Sequence, residues 1–253
     1  MTIFTASEPG ALPAPLLGVP IACLLSDCDG VIVDSEALAD AIMLEVLQQA
    51  FDVADLVPYL AGLFGRRVID IIQIMESRLA HPLDSVRRGD LQRVIDARVA
   101  EAAPPMPGML EAYRALNLPI AVVSNSASDR LQRSVDRAGL RELVGSHVYA
   151  AEDVGRPKPA PDAYLHAARQ MGYPPAACLV IEDSPTGVRA ARAAGMRVLG
   201  FLGGSHNGNH SAAQLEAASA HGLFSRMSEL PALIARMRLG VDERNAPDPA
   251  VAQ

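Results

Sequence analysis

The sequence predicts an α/β chain, a parallel sheet wrapped by helices with an all-helical unit inserted after the first strand. Three observations predict it. Short apolar runs with little polar alternation, at 21–25, 120–124, 178–182 and 197–201, have the pattern of strands covered on both faces. In the second half these runs alternate with stretches of helical periodicity, and strands joined through helices lie parallel in one sheet. Between Glu36 and Ala103 the pattern is helical throughout, so this block interrupts the alternation directly after the first strand.

Taken in order, residues 1–20 are rich in Ala, Pro, Gly and Leu and read as a loosely held leader. Ile21–Ser26 is the first strand. From Asp34 the period turns helical, with Leu38, Ile42, Val46 and Leu47 recurring on one face as far as Phe51. Helices are expected over Leu56–Leu63, Val68–Leu79 and Leu83–Ala102, broken at Gly65 and at His81-Pro82. The Pro-rich stretch Ala103–Gly108 closes the block. A helix Met109–Leu116 then leads to a strand Ile120–Ser124 and a helix Asp129–Ala138 ended by Gly139. A short strand around His147–Ala150 precedes the loop Gly155–Pro161 and a helix Asp162–Met171. Strand Cys178–Glu182 feeds a helix Thr186–Ala194, which Gly195 stops. Arg197–Phe201 is expected as the last main strand, before the loop Gly203–His210 and two further helical pieces. The predicted organisation is therefore leader 1–20, core 21–35 and 104–241, helical unit 36–103, and a polar tail 242–253.

Bulk properties narrow the partners. A net charge of -7 and a pI near 5.4 give no electrostatic footprint for nucleic acid or an anionic membrane. Cys23, Cys28 and Cys178 fall in or beside core strands and read as small buried hydrophobes, with neither a disulfide framework nor a zinc site. The N-terminus lacks a basic region followed by an apolar run and cleavage site, and no stretch reaches membrane-spanning length. A cytoplasmic protein, monomeric or weakly dimeric, is expected. His206 and His210 lie four apart among glycines and asparagines, with no third ligand nearby, which disfavours zinc.

Chemistry concentrates at strand ends, where ligands of open α/β sheets bind. The first strand stops at Asp27-Cys28-Asp29-Gly30, followed by Val31-Ile32-Val33-Asp34-Ser35-Glu36. Two carboxylates this close repel each other unless a cation or shared proton offsets the repulsion. An ordinary acidic turn accounts for Asp29-Gly30 but leaves Asp27 unexplained. The second strand ends at Ser124-Asn125-Ser126, hydroxyls and backbone N–H groups that can cradle a phosphate. Lys158 stands between Pro157 and Pro159, in a backbone stiffened on both sides. The strand at 178–182 ends in Glu182-Asp183, ahead of Ser184 as a helix N-cap. Carboxylate oxygens of this kind, with water and a substrate phosphate, suit Mg²⁺.

These four segments, in this order, resemble the motifs of the haloacid dehalogenase superfamily in its phosphatase and phosphomutase branch. The resemblance implies a Rossmann-like core with an inserted helical cap, and a Mg²⁺-dependent enzyme acting on a small phosphorylated metabolite. It implies Asp27 as nucleophile, Asp29 as general acid/base and Lys158 as the cation facing nucleophile and phosphate. Ser124 and Asn125, with Cys28 and Gly30, are expected at the phosphate. Asp27, Asp29 (through its carbonyl), Asp183 and Glu182 are expected at the metal. The β-phosphoglucomutase relatives carry a histidine and a lysine in their cap. Here the span from Glu36 to Ala103 has no lysine, and its one histidine, His81, sits beside a proline. Hydrolysis of a sugar or polyol phosphate is therefore expected; a hexose-phosphate mutase is the alternative, and a non-catalytic binding protein of the same fold a remote one. Arg66 and Arg67 are the substrate-reading candidates of the cap, and an aromatic content of 4% suggests no platform for a nucleobase.

Overall fold

The computed structural model describes residues 20–63, 68–205 and 212–239. The expected tail, most of the leader, Arg66, Arg67, His206 and His210 lie outside the described residues. Strand β1 (Cys23–Ser26) is followed by helices α1 (Glu36–Phe51), α2 (Val57–Leu60), α3 (Val68–Leu79) and α4 (Ser85–Ala102). Then come α5 (Met109–Ala115), β2 (Ile120–Ser124), α6 (Ser128–Arg137), α7 (Arg141–Val144), β3 (Val148–Ala150) and α8 (Ala151–Val154). The chain continues with α9 (Asp162–Met171), β4 (Cys178–Glu182), α10 (Pro185–Ala193) and β5 (Arg197–Phe201). It closes with α11 (Ala212–Ala217), β6 (Gly222–Phe224) and α12 (Leu230–Leu239).

The six strands form one parallel sheet in the order β3-β2-β1-β4-β5-β6. From β1 the chain first fills one side of the sheet and then crosses to the other, so the order reverses where β1 meets β4. That reversal opens a crevice beyond the strand ends. Successive residues of the central strands point to opposite faces. Leu24, Val122, Leu179 and Ile181 join one apolar cluster, while Cys23, Leu25, Val123 and Val180 join the other. Both faces are buried, which is why the strands read as unbroken apolar runs.

Helices α1 to α4 form the inserted cap. Its apolar residues, among them Ile42, Leu47, Ile72 and Ile95, belong to the cluster that covers one sheet face. Helix α4 begins at Ser85, later than the expected Leu83, because the Asp84 side chain accepts the Arg87 N–H at 2.7 Å and caps it. Helix α2 is shorter than the expected 56–63: Ala61 leaves helical geometry, and Gly62 takes φ +74. The sequence pattern does not reveal β6, an edge strand of three residues that is too short to carry a period. Among the described residues, no helix is long and apolar enough to cross a membrane.

Candidate active site

The β1–β4 register builds the site. Ser26 pairs with Ile181, and the Asp27 N–H donates to the Ile181 carbonyl at 2.9 Å. The next residue on each strand, Asp27 and Glu182, therefore stands abreast at the crevice. Carboxylate oxygens of Asp27, Glu182 and Asp183 lie within 4.8 Å of one another. The Lys158 ammonium enters between the strands and donates to Asp27 Oδ1 at 2.6 Å, Glu182 Oε1 at 2.7 Å and the Val123 carbonyl at 2.8 Å. These three acceptors use all three of its N–H donors. The ring of Tyr164 lies 4.7 Å below the ammonium, and its hydroxyl donates to Glu182 Oε1 at 2.7 Å.

Burial, and then the neighbouring Glu182, push the Asp27 carboxyl up to about 8, against the pull of Lys158. Burial would lower Lys158, but Asp27 and Glu182 outweigh it and raise the ammonium above its ordinary value. With all three acids ionised, the single ammonium leaves an excess of two negative charges in a largely buried, oxygen-only donor set. Such a set suits a hard divalent cation. Two glycines allow it. Gly30 has φ +76, and a Cβ there would lie 1.8 Å from Asp183 Oδ2; at Gly187 it would lie 1.7 Å from Glu182 Oε1.

The residues expected at the phosphate have these contacts. The Gly30 N–H, expected at the phosphate, donates to the Val33 carbonyl at 2.8 Å within its own loop. The Cys28 side chain is buried in the apolar cluster, and its carbonyl accepts the N–H groups of Val31, Ile32 and Val33. Asn125 acts as a splint. Its Oδ1 accepts the Lys158 N–H at 2.8 Å and its Nδ2 donates to the Lys158 carbonyl at 3.1 Å, so the carboxamide holds the lysine loop. Ser124 sits buried at the end of β2, its hydroxyl accepting the Ser126 N–H at 3.0 Å. Arg156 is exposed and pairs with Asp162 at 3.2 Å.

The Asp29 carboxylate stands apart from the group of three acids. Its Oδ1 accepts from Ser35 Oγ at 2.6 Å and from Arg130, and its Oδ2 accepts from Ser126 Oγ at 2.5 Å. Burial acts to raise its pKa, but Arg130 and the two hydroxyls outweigh it and hold the carboxyl below the usual range. Sequence reasoning missed Arg130, Tyr164 and Asp96. Arg130 lies one helical turn past Ser126, a weak signal; Tyr164 and Asp96 carried none, because only the tertiary fold brings α9 and α4 to the strand ends.

Residues 21–195 match the family model of the haloacid dehalogenase-like hydrolases. The 6-phosphogluconate phosphatase of Escherichia coli K12 is 27% identical over 192 residues, 74% of this chain and 85% of that protein. The fructose-1-phosphate phosphatase of the same organism is 30% identical over 179 residues, 68% of this chain and 92% of the relative. A haloacid dehalogenase-like protein of Agrobacterium tumefaciens superposes with TM-score 0.72 at 36% identity, over 86% of this chain and 99% of that one. A hydrolase of Deinococcus radiodurans, solved with bound phosphate and sodium, superposes with TM-score 0.71 at 33% identity, over 88% and 98%.

Proposed function

Because this chain is a haloacid dehalogenase-like hydrolase and a phosphoric monoester hydrolase, we propose that it is a Mg²⁺-dependent phosphatase of a small sugar or polyol phosphate, working through an aspartyl-phosphate on Asp27. The observation that carries the proposal is the Asp27–Lys158–Glu182 array at the β1/β4 crevice, with Asp29 two residues further on. Mg²⁺, held by Asp27, Glu182 or Asp183 and the Asp29 carbonyl, would neutralise phosphate charge and orient it for attack.

In the first step an Asp27 carboxylate oxygen attacks phosphorus. As the phosphorus–oxygen bond to the leaving group breaks, the protonated form of Asp29, a minor one given its lowered pKa, delivers a proton to the departing oxygen. Lys158, already pinned by three acceptors and the Asn125 splint, needs no reorganisation to stabilise the charge that develops. In the second step Asp29 takes a proton from water, which attacks the aspartyl-phosphate and frees Asp27. Ser124, at the end of β2, would meet phosphoryl oxygens in this reading.

The substrate class is supported by the relatives that act on 6-phosphogluconate, fructose 1-phosphate and hexitol phosphates. Phosphate release should be measured across sugar and polyol phosphates, with and without Mg²⁺, for the wild type and Asp27→Asn. Asp27→Asn should lower turnover by more than about a thousandfold while keeping the fold. Turnover that survives in that variant, or full activity in excess chelator, would remove the mechanism.

A further inference from the structure

Arg130 forks between two carboxylates from different parts of the chain. One terminal nitrogen donates to Asp29 Oδ1, and the other reaches Asp96 Oδ1 at 3.2 Å. The three side chains are largely buried, at 11%, 24% and 15% exposure for Arg130, Asp29 and Asp96, so solvent screens these pairs little. Asp96 lies in the middle of α4, in the inserted cap, whereas Arg130 opens α6 in the core. The same two helices meet again about two turns further along, where Arg137 Nε donates to the Ala103 carbonyl at 3.1 Å. Arg130 is therefore fixed from the cap side by Asp96 and grips Asp29 from the core side. Ser126 and Ser35 complete the socket around the Asp29 carboxylate.

We propose that Arg130, anchored by Asp96 of the cap, is the positioning residue for Asp29, so that the seating of α4 on α6 sets where the acid/base of the reaction stands. The inference rests on the phosphatase reading of the site, because it assigns work to Asp29 in both steps. A planar guanidinium fork suits this role because it contacts two carboxylates in fixed relative directions, which an ammonium does not. Displacing Asp29 by an ångström disturbs proton delivery to the leaving oxygen and proton removal from water, while the Asp27–Lys158–Glu182 array stays intact.

The test separates the two steps with 4-nitrophenyl phosphate, whose leaving group departs without a proton. Arg130→Ala should keep a rapid, stoichiometric burst of 4-nitrophenol, because Asp27 still attacks. Its steady-state turnover should fall about a hundredfold, because hydrolysis of the aspartyl-phosphate needs Asp29 as base. Turnover of the best sugar or polyol phosphate should fall at least as far, and without a burst. Added guanidinium ion should restore part of the loss in Arg130→Ala but none in Asp29→Asn. Asp96→Asn should show the same pattern more weakly, and the double variant Arg130→Ala/Asp96→Asn should be no slower than Arg130→Ala alone.

Arg130→Ala that loses burst and turnover in proportion, or that guanidinium leaves unchanged, would overturn the positioning role. An Asp96→Asn effect that adds in full to that of Arg130→Ala would overturn the anchor. If Asp29→Asn itself hydrolyses both esters at the wild-type rate, the acid/base assignment falls and this inference falls with it. An Asp29→Asn with a burst and no turnover, beside an unaffected Arg130→Ala, sinks the inference alone.

Discussion

Lys158 is a cation held in place before any substrate arrives. A lysine on a loop loses considerable side-chain entropy when pinned, and two devices offset that cost here: the acceptor cage around its ammonium and the Asn125 splint on its backbone. The splint yields a prediction. Asn125→Ala should reduce turnover by about a hundredfold, through a misplaced lysine, while far-ultraviolet circular dichroism stays native. A wild-type rate in that variant would mean that the cage alone suffices. Gly187 makes a second prediction. Glu182 is fully buried and bonded to Lys158, Tyr164 and Ser184, so it has nowhere to go when a methyl group arrives 1.7 Å from its Oε1. Gly187→Ala should destabilise by about 1–3 kcal/mol in urea unfolding and weaken the Mg²⁺ dependence of activity. Unchanged unfolding and an unchanged Mg²⁺ titration would contradict the crowding.

At the level of elements, the far edge of the sheet carries a pH-sensitive join. His221, just ahead of β6, exchanges two backbone-level bonds with β5: its N–H donates to the Val198 carbonyl at 2.9 Å, and its Nδ1 accepts the Val198 N–H at 3.1 Å. Burial first, and the facing Arg192 second, push the imidazole down from 6.5 to about 4. The neutral ring is thus the folded form. The unfolded chain binds the extra proton first, so stability is complete above about pH 6.5 and falls as pH drops toward 4. A full shift would correspond to about 3 kcal/mol, but the ring is part-exposed and solvent screening reduces it to on the order of 1 kcal/mol. His221→Asn, which keeps an acceptor for Val198, should flatten this part of the pH dependence in urea unfolding. Equal slopes for variant and wild type between pH 6.5 and 4 would rule the join out.

For the whole molecule, the question is what accepts the phosphoryl group. A mutase must release a bisphosphate from the aspartyl-phosphate, let it reorient and rebind it, and that requires cationic groups facing the core. The span 36–103 holds arginines but no lysine, and His81 packs edge-to-face with Phe51, ring centroids 5.5 Å apart. We propose that water is the acceptor, so phosphate release should outpace any interconversion of glucose 1-phosphate and glucose 6-phosphate, even with a bisphosphate activator present. Faster interconversion than release would assign the enzyme to the mutases. Arg66 and Arg67 remain proposals for reading the substrate; replacing both by Ala should reorder the preferred sugar phosphates while hydrolysis of a generic ester continues.

What the sequence determined by itself was everything that depends on local pattern. Buried parallel strands leave unbroken apolar runs, so β1, β2, β4 and β5 were legible, and their polar ends, Asp27, Ser124 and Glu182-Asp183, were legible as a site because such sheets bind ligands there. Order and spacing also set Lys158 apart, since flanking prolines are visible along the chain. The tertiary structure alone decided which partner each side chain takes. Asn125 and Gly30 read along the chain only as candidates for the phosphate, and the fold adds that Asn125 bonds both backbone groups of Lys158 and that the Gly30 N–H bonds the Val33 carbonyl. Arg130 and Asp96 lie 34 residues apart in the chain, in helices that read as ordinary surface helices. Their meeting at Asp29 follows from how α4 seats on α6, because hydrogen bonds and ion pairs form across space while sequence patterns record only neighbours along the chain.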